Sequence, residues 1–203
     1  MSGNRVIPSL SVLLVILLVA GCATTRQAWN VACQANTPEA YDAFTSAHPR
    51  DALADSARAR AVAIRLQRLD SEWDTVSRRD ALGEYLSFAI EHIGTAPAER
   101  AVARIDAIIT QRGTAVAESD RQLIDSAILA TLRRQYTKYA GNLIYQTQTG
   151  DRLTMQITAS NVLYSAALGI AYIEQAQILD ARGSHAYRGV CLWHGTLYEV
   201  PAK

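Results

Sequence analysis

No block of like charge occurs anywhere in the 203 residues, which hold 20 Lys+Arg against 19 Asp+Glu. Nucleic-acid binding needs clustered cations to neutralise phosphates, and docking on an anionic bilayer needs a polybasic patch, so neither class of partner fits. The catalytic signatures legible in a single sequence are missing as well: there is no P-loop, GxGxxG, HExxH, GxSxG or CxxC. No catalytic residue, metal or cofactor is expected, and no carboxylate pair stands out as an acid/base couple. Histidine is scarce, with only His48, His92, His185 and His194. Cys191-Leu192-Trp193-His194 is the one place where a thiol and an imidazole come close in sequence. On a strand, positions three apart face opposite sides, and zinc would need two further ligands where only His185 is near. Long apolar runs are lacking too. The longest, Val6–Ala20, is interrupted by Pro8, Ser9 and Ser11 and is shorter than the roughly 20 residues of a membrane-spanning helix.

What is present suits a folded chain: 49% apolar and 19% charged residues, the balance of an ordinary soluble domain rather than of a disordered one. Met1–Arg5 carries a single Arg, the Val6–Ala20 run follows, and Val19-Ala20-Gly21-Cys22 closes it. A short basic start, an apolar stretch and a small-residue site make a secretory signal peptide. The last four residues resemble the bacterial lipobox. That resemblance implies cleavage between Gly21 and Cys22, diacylglycerol on the Cys22 sulfur and acylation of the new amine. Two or three acyl chains anchor a protein stably, since each buried methylene contributes about 0.8 kcal/mol. Ala23 follows the cysteine; in lipoproteins of Gram-negative bacteria an Asp there favours the inner membrane, so the resemblance implies the outer membrane, facing the periplasm. Loss of residues 1–21 removes only Arg5 among charged residues and leaves 19 of each sign.

Residues 29–65 and 73–109 match at a fixed offset of 44. Trp29, Tyr41, Phe44 and His48 align with Trp73, Tyr85, Phe88 and His92; Ala52, Ala54, Ala57, Ala59, Arg60, Ala63 and Ile64 align with Ala96, Ala98, Ala101, Ala103, Arg104, Ala107 and Ile108. A period of 40–50 residues is the mark of an array of supersecondary units. Thr37-Pro38-Glu39 reads as a helix start, with Thr as N-cap and Pro in the first turn. His48-Pro49 stops that helix, and Asp51 opens an alanine-rich segment that ends either near Leu69 or, as one long helix joining the units, near Arg79. In the second unit Asp80 is the expected cap and Gly94-Thr95 the break. Trp29, Tyr41, Phe44, Trp73, Tyr85 and Phe88 are expected to form the repeat core. Arg60 and Arg104 either line a groove or extend off the stack.

The first unit, with Asn36-Thr37-Pro38-Glu39-Ala40-Tyr41-Asp42-Ala43-Phe44, then His48-Pro49, then Ala57-Arg58-Ala59-Arg60, resembles the tetratricopeptide-type helices of bacterial envelope lipoproteins. The second departs from the pattern, with Ala81 for Thr37 and Ile93-Gly94 for Pro49-Arg50. The resemblance covers residues 27–112. It implies stacked helices that bind other proteins, and it carries over no functional residues.

Ser119-Asp120-Arg121-Gln122 has the form of a capping box. Leu123, Ile124, Ala127, Ile128, Thr131 and Leu132 then keep helical spacing to Tyr136. Beyond Tyr139 the pattern changes to strands. Leu143-Ile144-Tyr145 and Leu153, Met155, Ile157 flank a turn at Thr149-Gly150-Asp151, and Tyr187–Trp193 and Thr196–Val200 flank His194-Gly195. Val162–Ala181 is ambiguous: Ile170, Tyr172 and Ile173 after Gly169 suit a strand, whereas Ile173-Ala176-Gln177 suits a helix, and one long strand is the preferred reading. The expected fold class is α+β, an N-terminal helical repeat array followed by a small antiparallel β module. Its segments are 1–21 signal peptide, 22–28 lipidated tether, 29–112 two repeats, 113–138 capping or linker helix and 139–203 β module. In the oxidising periplasm Cys33 and Cys191 form either a disulfide or two buried free thiols. The expected function is a lipid-anchored, non-enzymatic scaffold that binds an envelope protein. The alternative is a small-ligand or glycan-binding lipoprotein that stacks its ligand on Tyr145, Tyr172, Tyr187, Trp193 and Tyr198.

Overall fold

A computed structural model describes residues 24–125, 129–150 and 152–201. The leader, Gly21 and Cys22 lie outside the described residues, as do Ala127 and Ile128. Helices come first and a six-stranded antiparallel sheet follows, so the fold is α+β. The residues to Ser71 and those from Glu72 form two compact units. No helix among the described residues is long and apolar enough to cross a membrane.

The first unit contains α1 (24–35), α2 (Pro38–Ala47) and the part of α3 (Ala54–Arg79) that precedes Glu72. Residues 24–28, assigned above to the tether, are already helical. Thr37 caps α2 as expected, its Oγ1 accepting from Ala40 N at 3.2 Å, with Pro38 in the first turn. Asp51 Oδ1 accepts from Leu53 N at 2.8 Å ahead of α3. Ala32, Tyr41, Phe44, Ala57 and Ala61 are buried together, with Trp29 and Ile64 packed on them. The small alanines let the helices approach closely enough for the rings to interlock: Trp29 meets Phe44 edge-on at 5.4 Å and Tyr41 at 6.0 Å.

In the second unit the rest of α3 is followed by α4 (Leu82–Glu91) and α5 (Ala96–Arg112), which pack on each other. The ring geometry recurs: Trp73 lies 5.6 Å from Phe88 and 5.9 Å from Tyr85. Thr95 caps α5 through Ala98 N at 3.3 Å. Asp80 is not the cap of α4. That place falls to Ala81, which makes no side-chain cap. Asp80 instead ends α3 in the left-handed region, at φ 49°, as Asn36 ends α1 at φ 47°. There each side chain accepts from its tyrosine hydroxyl at 3.1 Å, Tyr41 to Asn36 and Tyr85 to Asp80.

The expected linker helix 113–138 contains more than helix. It opens with β1 (Thr114–Ala115) and continues through α6 (Glu118–Ile124) and α7 (Ala130–Gln135). Ser119 lies inside α6 rather than at its cap, which is Ala117, because the chain pairs with the last strand right up to Val116: Val116 N donates to Leu197 O at 3.0 Å. The remaining strands are β2 (Lys138–Thr149), β3 (Arg152–Ser165), β4 (Ile170–Asp180), β5 (Gly183–Trp193) and β6 (Thr196–Glu199), in the order β1-β6-β5-β4-β3-β2. The stretch read as one strand over 162–181 is two, broken between Ser165 and Ile170. Continuous apolar character there reflects burial on both faces, not unbroken extension.

Alternation in this sheet fails along one row. Asn161 of β3, Glu174 of β4 and Gly189 of β5 lie unpaired between registered neighbours on either side, and Asn161 and Gly189 have φ of 51° and 67°. As a result residues three apart share one core: Ala159 with Val162, Ile173 with Ala176, and Val190 with Tyr187. Strict pleating would have placed each pair on opposite faces. Ile124 of α6, Leu132 of α7 and Leu129, the residue that caps α7, cover this face. The other face meets α4. There the Tyr172 ring packs against Gly83, where a Cβ would come within 3.2 Å of it, and the Trp193 indole donates to Asp106 Oδ1 at 2.5 Å.

Candidate functional site

The unpaired row has a consequence on the face that meets α4. A groove of about 790 Å³ opens there, with Asn161, Glu174, Gly189 and Val200 on its floor and Arg79, Ser87 and Arg112 along its wall. All of it belongs to the second unit. Leu82, Val162, Leu163 and Tyr172 make its apolar side. Burial pushes the Tyr172 hydroxyl up to about 12, helped by the charge of Glu174, so it stays a neutral phenol at the groove's edge.

Most charges around this groove are already paired. Arg79 Nη1 holds Glu84 at 2.9 Å, Arg104 holds Asp80 at 2.7 Å, and Asn161 Nδ2 donates to Glu174. Among the described residues two cations are left without a carboxylate partner. Arg112 Nε is shielded from solvent and unpartnered among the described residues, and only the backbone N of Arg188 is engaged, by Glu199 Oε1 at 3.2 Å. A buried donor left without an acceptor costs about 1–3 kcal/mol. An acidic group brought into the groove would recover part of that cost.

The residues flagged by sequence fall into separate places. Tyr41, Phe44, Tyr85 and Phe88 are buried, while Trp29 and Trp73 are half-buried at the rim of their clusters. Arg60 and Arg104 are both exposed, and each is held by a neighbour in its own unit. Arg60 donates to the Tyr41 hydroxyl at 3.2 Å and lies over the Trp29 ring, and Arg104 grips Asp80 with two nitrogens. They tie down the left-handed turns that precede α2 and α4. His48 and His92 pack on Phe44 and Phe88.

Cys33, half-buried in the first unit, and Cys191, buried in the second, are both free thiols. Each sulfur already has a setting: Cys33 Sγ accepts from Arg60 at 3.5 Å, and Cys191 is fully buried among the sheet's side chains. Burial pushes the Cys191 thiol up to about 12, the reverse of what a nucleophile needs. His194 stands exposed on its turn, near Asp106. Of the five aromatics offered as a stacking surface, Tyr198 is half-buried. Tyr172 and Trp193 are buried, and Tyr145 and Tyr187 pack against the core.

The helices on the opposite face are fastened by a polar knot. Asp120 of α6 accepts from the Tyr187 hydroxyl and from Arg182 Nη2 at 3.1 Å. Tyr187 chiefly, with Arg182 and Ser119 assisting against burial, holds the Asp120 carboxyl below the usual carboxylate range. A carboxyl depressed in the folded state stabilises above its unfolded value of about 3.9, and that contribution disappears as pH falls through the folded value. Asp120→Asn is therefore expected to be less stable than the parent at pH 7, with the gap shrinking as pH drops below about 4. Urea midpoints at pH 7 and pH 3 check this; a gap that does not change with pH would show that the charge plays no part.

The groove, its unpaired arginines and the turn that Asp80 makes were missed from sequence. Their residues come from α3, α4, α5, β3, β4, β5 and the chain after β6, and no spacing links them. No protein-family model, curated protein or solved structure matches this chain.

Proposed function

We propose that this protein is a lipid-anchored, non-enzymatic scaffold of the cell envelope that holds an acidic segment of a protein partner in the groove of its second unit. Acylated Cys22, freed by cleavage after Gly21, would fix it to the membrane, and the absence of Asp at position 23 favours the outer membrane, periplasmic side. The 44-residue helical repeat and its likeness to tetratricopeptide-type units support a protein-binding role. The observation that carries the reading is the pair of uncompensated cations, Arg112 and Arg188, beside apolar groove walls. Paired cations would give a partner nothing to neutralise, whereas these two offer charge-assisted hydrogen bonds to a carboxylate.

A photo-activatable residue in place of Ser87, on the groove wall, tests this in intact cells. The expected result is one discrete cross-linked protein that disappears when Arg112→Ala and Arg188→Ala are combined. The Cys22→Ser chain is expected to lose acyl labelling and leave the membrane fraction. Cross-links that are absent, or unchanged by the double substitution, would sink the groove reading; an unlabelled parent chain would sink the anchor.

A further inference from the structure

We propose that Glu72, Glu91 and His92 form a binding site for a divalent transition-metal ion such as zinc. Glu72 lies on α3, Glu91 ends α4, and His92 follows as its C-cap. One ligand atom from each lies within 4.8 Å of the others, and His92 Nε2 is 3.1 Å from Glu72 Oε1. Tetrahedral zinc with bonds of about 2.0–2.1 Å needs ligand atoms roughly 3.3 Å apart. The His92–Glu72 separation is already of that size, and Glu91, which is exposed, closes the remainder by side-chain rotation. The imidazole is aimed in advance. Its ring packs on Phe88 at 4.6 Å between centroids, and its backbone N is held by Phe88 O at 3.0 Å. Two carboxylates and a neutral imidazole balance a dication and leave the fourth position to water.

The chain carries its own control. At the offset of 44, Glu72, Glu91 and His92 correspond to Ala28, Ala47 and His48. His48 packs on Phe44 at 5.1 Å just as His92 packs on Phe88. The histidine thus serves packing in both units, and the first unit does so with two alanines. The two carboxylates are what the second unit adds, and the shared ring packing does not require them. The donor set also selects the ion. An imidazole with two carboxylates suits zinc and its neighbours in the first transition row. Calcium prefers six or more oxygens and magnesium a near-ideal octahedron.

The site shares no residue with the groove and stands whether or not a partner binds there. Calorimetric titration of the purified full chain with zinc chloride, with magnesium chloride in parallel, tests it. A single zinc site is expected, with no matching magnesium signal. Loss of an outer-sphere partner alone weakens metal sites by about 10–100-fold, so Glu72→Gln and Glu91→Gln should each weaken binding by at least about tenfold. Both should melt as the parent does without metal. His92→Ala should abolish binding; if it unfolds through lost packing on Phe88, the two glutamine variants still decide. Absence of zinc binding at millimolar metal, equal binding of magnesium, or unchanged affinity in both glutamine variants would overturn the proposal.

Discussion

Gly189→Ala is expected to destabilise the second unit by about 3 kcal/mol or more. A Cβ at this position would sit 2.1 Å from the Val200 carbonyl oxygen, and the residue has φ 67°. Neither problem has an easy escape. Val200 is buried, and its N donates back to Gly189 O at 2.9 Å, so relieving the clash means lifting the chain beyond β6 off the sheet. Gly195 separates the two contributions. Its φ is 79°, but a Cβ there meets nothing within 4 Å. Gly195→Ala should therefore show only the backbone penalty, about 1–2 kcal/mol. Urea unfolding of the two variants side by side measures the difference; equal losses would mean that the contact with Val200 is not tight.

Phe44→Ala and Phe88→Ala are the matching test of the helical units, and each is expected to cost about 3–5 kcal/mol. Phe44 is 4% and Phe88 2% exposed. Each ring lies between a tryptophan on one side and a histidine on the other, at 5.4 and 5.1 Å in the first unit and 5.6 and 4.6 Å in the second. Removing either leaves a cavity that helices pinned by the Arg60–Tyr41 and Arg104–Asp80 contacts cannot collapse to fill. Chemical denaturation followed by circular dichroism reads the loss. A cost under about 1 kcal/mol for either would show that its aromatic cluster is not the core of that unit.

Much of the frame was legible because local chemistry and tertiary packing agree there. Thr37-Pro38 supplies a capping hydroxyl and a first-turn proline together, and His194-Gly195 supplies the two left-handed residues, φ 48° and 79°, that a tight hairpin demands. The 44-residue offset exposed the recurring rings because each must fill the same hole. Asp80 was misread for a physical reason. An Asp before an apolar helical run is the commonest cap, but here the charge of Arg104 and the Tyr85 hydroxyl compete for its carboxylate and win. Ser119 lost its capping role to strand pairing at Val116, a contact more than 80 residues away in sequence from its partner Leu197. The groove was invisible since its floor depends on three strands breaking step together, which nothing in Asn161, Glu174 or Gly189 taken singly announces. Glu72 and Glu91 read as ordinary surface charges until the fold set them beside His92.

That shared break in step also acts as a lock on alignment. In a uniformly pleated sheet a strand can slide by two residues and still present the same side inward. Here a slide of β4 past β3 or β5 would set Glu174 opposite a regular partner and bring Asn161 or Gly189, with their left-handed backbones, against residues that expect a flat neighbour. Such a slide puts two left-handed positions out of step with their neighbours at once. The flaw that opens the groove is also what tells the three strands when they have found one another.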